Sequence, residues 1–336
     1  DKGENFTWAH TNILNALSTG LVESTISGLA PETTYYARFY GTNNTAEVNG
    51  WSDVISFNTA LSSAAYDYGM PITFTNFAGR GTLTNFPALV KFNTNDNFYA
   101  GFTSAEAHDL RFCSEEDGSG ILSYEIEKWN TSGESFVWVQ VPEFTNNCSI
   151  WAYWGRTGAV QPVYATNGAT WSEGFSAVLH LNDSVTDGAT LADAHTDSTG
   201  NEYHGNQDGN SRLDSGQIAG AADNDTSDNI NIPDWTDTGN IYTISCWMYP
   251  DAVGEWHPVF GGGTADWSSF RFHGANNAVY YIGTDDGDWN SRFQTADGYL
   301  PVGAWHYVTF TFGKRKARLY KDGILTHTKD NMDNPA

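Results

Sequence analysis

Basic residues are scarce in this sequence. Lys and Arg total 16 of 336 residues, against 40 Asp and Glu, which leaves a formal net charge of −24. Nucleic acid and anionic membrane surfaces are bound through Lys and Arg that neutralise phosphates, so neither is an expected partner. Most of this negative charge reads as solubility, and the rest as a reserve of carboxylates for a divalent cation. Cysteine is nearly as scarce. Cys113, Cys148 and Cys246 are too few for a disulfide scaffold, and no CxxC or Cys/His spacing points to zinc. One bridge is expected, between Cys113 after DLRF and Cys148 before SIWAYWG, if those two strands are neighbours. Two isolated thiols are the alternative, and Cys246 is expected buried and free. No apolar run approaches the ~20 residues that span a bilayer, so no membrane insertion is expected from this segment. The opening residues DKGENFTW read as mid-domain sequence, so any secretion signal is expected upstream.

Aromatic residues and glycine are plentiful. There are 13 Trp, 17 Tyr, 19 Phe and 34 Gly, a composition that favours strands joined by tight turns. No stretch carries the 3.6-residue period of an amphipathic helix, whereas several alternate with period two. The expected fold class is therefore all-β, with β-sandwiches in series. Tyr35, Ala37 and Phe39 alternate with Tyr36, Arg38 and Tyr40 in a first unit over residues 1–60. The linker LSSAAYDYG leads to a second unit over 66–170, whose candidate strands are PITFTNF, PALVKFN, DLRFCS, LSYEIEKW, SFVWVQV and CSIWAYWG. A third unit over 176–336 closes with a hairpin. His306, Val308, Phe310 and Phe312 alternate along one strand, Lys314-Arg315 turn the chain, and a second turn follows at Asp322-Gly323.

Each unit resembles a known family. Leu29, Pro31, Thr34 and Tyr35 at a tyrosine-corner position, then Gly50, Trp51, Ser52, Phe57 and Thr59, resemble the C-terminal part of a fibronectin type III domain. Pro71-Ile72-Thr73, Asp109-Leu110-Arg111-Phe112, Tyr124-Glu125-Ile126-Glu127, Val137-Trp138-Val139 and Tyr153-Trp154-Gly155 resemble a bacterial domain of unknown function, number 2341. Asp197-Ser198-Thr199-Gly200-Asn201, Thr243-Ile244-Ser245 with Trp247, Trp305-His306 with Val308, and Leu319-Tyr320 resemble a laminin-G-like, concanavalin A-like jelly roll. The first and last resemblances cover only part of such domains, so the chain is expected to be a segment of a longer bacterial protein.

The candidate chemistry follows from these units. Glu125 and Glu127 come nearest to the paired carboxylates of a glycosidase. The third carboxylate of the Glu-x-Asp-x-x-Glu type of spacing is missing, and the stretch reads as a structural strand, so the chain is expected not to be an enzyme. No nucleophile elbow, zinc-protease helix or phosphate loop is present. Asp193, Asp197, Asn201 and Asp208 lie in a Gly-rich opening that offers oxygen ligands for calcium. The jelly-roll resemblance implies a Ca²⁺ site there, with Asp197 and Asn201 foremost. The alternative is a solvated acidic loop in which those two residues cap turns. Trp256, Trp267 and Trp289 stand in polar contexts (GEWHP, ADWSS, GDWNS) and are the candidate sugar-stacking residues, while Trp247 and Trp305 are expected in the core. The expected function is extracellular or cell-surface adhesion through glycans or matrix proteins. Two alternatives stand beside it: a purely structural, self-associating segment of a giant surface protein, and an accessory binding module of a polysaccharide-degrading enzyme.

Overall fold

Alternating side chains and turn residues make strands the main regular element among the described residues. A computed structural model of the chain describes residues 11–14, 21–42, 49–77, 81–93, 98–172, 174–213, 215–224, 228–232, 241–251, 256–262, 268–273, 278–283 and 293–331. Between 256 and 293 the description covers the backbone of the strands alone. The chain divides into two units, Asp1–Val178 with Ser198–Gly200, and Leu179–Asp197 with Asn201–Ala336.

The first unit opens with two short antiparallel pairs. β1 (Thr34–Ala37) pairs with β4 (Ile55–Asn58), and β2 (Tyr40–Thr42) pairs with β3 (Asn49–Trp51). The Tyr35 hydroxyl accepts the Ala30 amide N–H at 2.9 Å, a tyrosine-corner contact. Two three-stranded sheets follow. One has the order β5 (Tyr68–Thr73), β10 (Ser149–Trp154), β7 (Arg111–Cys113). The other has the order β6 (Leu83–Phe92), β9 (Ser135–Phe144), β8 (Tyr124–Lys128). Ala88, Val90 and Phe92 of β6 and Val137, Val139 and Val141 of β9 meet Phe112, Ile150, Ala152 and Trp154 from the facing sheet in one core. Each of these is a period-two inward position, so two half-apolar sheets exclude water by stacking.

β7 and β10 are neighbours, which meets the condition set for the expected Cys113–Cys148 bridge, but the bridge is absent. All three thiols are free. Cys113 stands opposite Trp151 and packs with Leu61, Tyr66 and Tyr153. Cys148 lies three residues before Trp151 and packs against the core on the other side of the sheet. Three residues of strand span about 10 Å, beyond the ~7 Å Cα separation a disulfide tolerates, and an odd offset sends the two side chains to opposite faces.

The second unit begins with the sheet β11 (Thr190–His195), β12 (Gly205–Asp208), β15 (Asn229–Asn231) and the pair β13 (Ser211–Leu213), β14 (Ala221–Asp223). Two four-stranded antiparallel sheets follow. One consists of β17 (Trp256–Gly262), β18 (Ser268–His273), β19 (Ala278–Gly283) and β20 (Phe293–Gln294) in chain order. The other has the order β16 (Ile241–Met248), β21 (His306–Gly313), β22 (Lys316–Lys321), β23 (Ile324–Lys329). Both expected hairpins form. Lys314 and Arg315 have φ of 52° and 60°, and Asp322 and Gly323 have φ of 50° and 78°, the paired positive values of two-residue turns whose twist matches the flanking strands. Val308, Phe310, Phe312, Ala317 and Leu319 form the buried layer of this sheet with Leu300.

Candidate functional site

The register of β16 on β21 decides which side chains this sheet shows to solvent. Val308, Phe310 and Phe312 point inward and stand opposite Cys246, Ile244 and Tyr242. The alternate positions therefore point outward, and they form cross-strand rows. Ser245 opposes Thr309, which opposes Tyr320 on β22, while Thr243 opposes Thr311, which opposes Arg318. At the end of the sheet Trp247 opposes Tyr307, with ring centroids 5.1 Å apart and planes tilted by 46°. One step beyond, Tyr249 meets Trp305 at 5.4 Å and 56°. Trp247 is 39% exposed and Tyr249 47% exposed. Two residues of strand separate the two pairs, about 7 Å. Trp247 and Tyr249 are thus the exposed members of two neighbouring ring pairs whose partners, Tyr307 and Trp305, are half-buried, and Ser245 and Thr309 are next in the outward rows.

The supports of this platform are local. Asp322 Oδ1 accepts the Tyr307 amide N–H at 2.9 Å, and the Asp322 amide donates to the Tyr307 carbonyl at 2.8 Å, which ties the β22–β23 turn to the ring-bearing strand. Behind it, buried His306 donates from Nε2 to the Pro301 carbonyl at 3.1 Å. Gly303 donates its amide to the Pro250 carbonyl at 2.8 Å and closes the loop that carries Trp305. Cys246, expected buried, is half-buried on the inward side of the strand, and desolvation there pushes its thiol up to about 12. Exposed aromatic rings with hydroxyl neighbours suit the apolar face of a pyranose and its ring hydroxyls.

Trp247 and Trp305 are thus not core residues, contrary to expectation. Both outer and inner faces of YTISCWM carry large side chains, so the strand by itself does not say which is buried. The inward run of His306, Val308, Phe310 and Phe312 was the usable signal, because antiparallel pairing places Trp247 opposite the out-of-phase Tyr307. Of the three tryptophans expected to stack on sugar, Trp256 begins β17, where only the backbone is described. Trp267 and Trp289 lie outside the described residues.

Of the expected calcium ligands, Asp197 and Asp208 carry side-chain hydrogen bonds in local structure and Asp193 a backbone one. Asp197 is buried, and its Oδ2 accepts the Tyr203 amide N–H at 2.9 Å while its own amide donates to His204 Nδ1 at 3.0 Å. This is the turn-capping role set beside the metal role. Asn201 is exposed in the same turn. Asp193 donates its amide to Asn206 Oδ1 at 2.9 Å, and Asp208, at the far end of β12, accepts the Thr190 hydroxyl at 3.2 Å. Among the described residues no three His, Cys, Asp or Glu side chains converge as a metal site. A polar cluster not foreseen from the sequence lies in the core beside them. His195, Gln207 and Asn210 are buried, with Gln207 Nε2 donating to the Thr186 carbonyl at 2.6 Å and Asn210 Nδ2 3.1 Å from His195 Nε2. Burial opposes ionisation of Asp183, yet hydrogen bonds from His195 and Thr196 hold its carboxyl below the usual range.

Glu125 and Glu127 are held by indoles. The Trp171 Nε1–H donates to Glu125, which also accepts the Ser198 hydroxyl at 2.6 Å, and the Trp138 Nε1–H donates to Glu127 at 2.5 Å.

Two family models match the chain. Residues 224–336 match the concanavalin A-like lectin/glucanases superfamily, and residues 106–178 match a domain of unknown function, DUF2341. The first match contains all four platform rings. Neither reaches the first hundred residues. No curated protein and no solved structure matches the chain.

Proposed function

We propose that the second unit is a non-catalytic carbohydrate-binding module that receives glycans on the Trp247–Tyr307 and Tyr249–Trp305 platform. The observation that carries this reading is the two adjacent ring pairs, with Trp247 and Tyr249 exposed, within a region that matches the concanavalin A-like lectin/glucanases superfamily. Exposed rings of this size are costly to leave in water, and a contiguous apolar patch edged by hydroxyls marks a binding surface. In this reading the protein is an extracellular bacterial adhesin or glycan-binding segment, and the DUF2341-like sandwich is its rigid companion. The chain's acidity favours neutral glycans over anionic ones, since polyanions would meet a field of like charge. Binding by ring stacking needs no cation at the platform.

The test is a glycan array probed with the intact chain, with and without EDTA. Binding to a neutral glycan that survives EDTA and weakens in Trp247→Ala supports the reading. Binding lost in EDTA but indifferent to Trp247 would move the site to the acidic segment around Asp197. No binding to any glycan would count against the module altogether.

A further inference from the structure

The first unit contains a second built site, unrelated to the platform. Arg111, on β7, has a side chain only 4% exposed. Its guanidinium is oriented by carbonyl oxygens of the same sandwich. Nη1 donates to His108 at 2.8 Å and to Leu110 at 2.7 Å, and Nη2 donates to Val160 at 2.8 Å. Those carbonyls bring no negative charge. Nε is turned to the carboxylate of Glu32 at 3.1 Å. The second oxygen of that carboxylate receives the Tyr66 hydroxyl at 2.9 Å and an N–H of Arg156, whose guanidinium also lies 5.6 Å from the Tyr66 ring centre. The Glu32 side chain is 12% exposed.

The four partners come from different parts of the chain. Arg111, Arg156 and Tyr66 belong to the middle sandwich and its entry. Glu32 sits in the Pro31-Glu32 turn before β1, 79 residues from Arg111. It has a left-handed φ of 52°, a conformation a non-glycine residue keeps only when its surroundings hold it. Its amide donates to the Ala60 carbonyl at 3.2 Å, and Leu61 donates to Gly118 at 3.0 Å, so the exit of the β1–β4 segment is seated on the middle sandwich at the same place. Burial of the Tyr66 phenol pushes it up to about 12, which keeps it a donor.

We infer that Arg111, Arg156 and Tyr66 form a carboxylate-binding socket on the middle sandwich, which Glu32 fills in cis to lock the preceding β-segment to it. A buried guanidinium that loses its counter-charge is strongly unfavourable, whereas its carbonyl contacts would persist. The socket should therefore accept a small carboxylate when Glu32 is removed.

Glu32→Gly is the informative variant, because glycine adopts the left-handed φ without strain and leaves the space of the side chain open. In the full chain, its melting temperature is expected to fall by roughly 5–15 °C. Acetate or propionate should restore part of the loss, more than chloride at equal ionic strength, and should not raise the wild type comparably. Should Glu32→Gly fail to fold, Glu32→Gln keeps size and removes charge, and is expected to melt lower than wild type without carboxylate rescue because the socket is occupied. An unchanged melting temperature in both variants, or equal stabilisation of wild type and Glu32→Gly by carboxylate, overturns the socket.

Discussion

Replacing Trp247 with alanine separates the proposed binding face from the core beneath it. The side chain is 39% exposed and its cross-strand partner is a single ring, Tyr307, at 5.1 Å. Val308, Phe310 and Phe312 line the opposite face and keep their neighbours. The stability loss is then that of one aromatic cross-strand pair, about 0.5–1.5 kcal/mol. For a unit of this size that lowers the melting temperature by roughly 1–6 °C. A sugar stacked on the indole would lose about 1–2 kcal/mol of contact, which is a 5–30-fold weaker Kd. Phe310→Ala provides the contrast. It empties a fully buried site and should cost about 3–5 kcal/mol, so binding would be lost with the fold. The assay is isothermal titration with the best neutral glycan from the array, paired with thermal unfolding of each variant. Trp247→Phe keeps a ring and should retain most of the affinity. If Trp247→Ala and Tyr249→Ala both bind with wild-type affinity while folded, the platform is not the site and the reasoning from exposed rings fails.

Other outcomes follow from the same structure. Alkylation under denaturing conditions without reductant should label all three cysteines, since Cys113 and Cys148 face opposite sides of one sheet; a mass showing one label and a bridge would overturn the register of β7 on β10. In the native state Cys113 and Cys246 should resist alkylation near pH 8, because burial pushes both thiols up to about 12 and the thiolate is the reactive form. The same shifts predict alkaline sensitivity. The folded chain holds protons on these thiols, and on Tyr66, that the unfolded chain releases first. Their contribution is complete below the ordinary thiol range near pH 8.5 and declines as pH rises toward 12, by about 1.4 kcal/mol per pH unit for each group passing through its window. Denaturant unfolding at pH 8 and pH 10.5 measures this, and equal free energies at the two values would contradict it.

The all-β class, the period-two strands and both hairpin turns at Lys314-Arg315 and Asp322-Gly323 were legible in the sequence, because each depends on a few consecutive residues. Three decisions were not. Whether Trp247 faces the core or the solvent depends on its pairing with β21, since β16 carries large apolar side chains on both sides, Ile244 and Met248 on one and Ile241 and Trp247 on the other. Whether Cys113 can reach Cys148 depends on a register in which one extra residue reverses the face. The meeting of Glu32 with Arg111 joins residues 79 apart, and nothing local to either marks the other. Side-chain alternation is a property of a single strand and can be read along the chain. The partner, its register and the buried side are set only when sheets pair and stack, so the tertiary structure alone chose the aromatic face and the carboxylate socket.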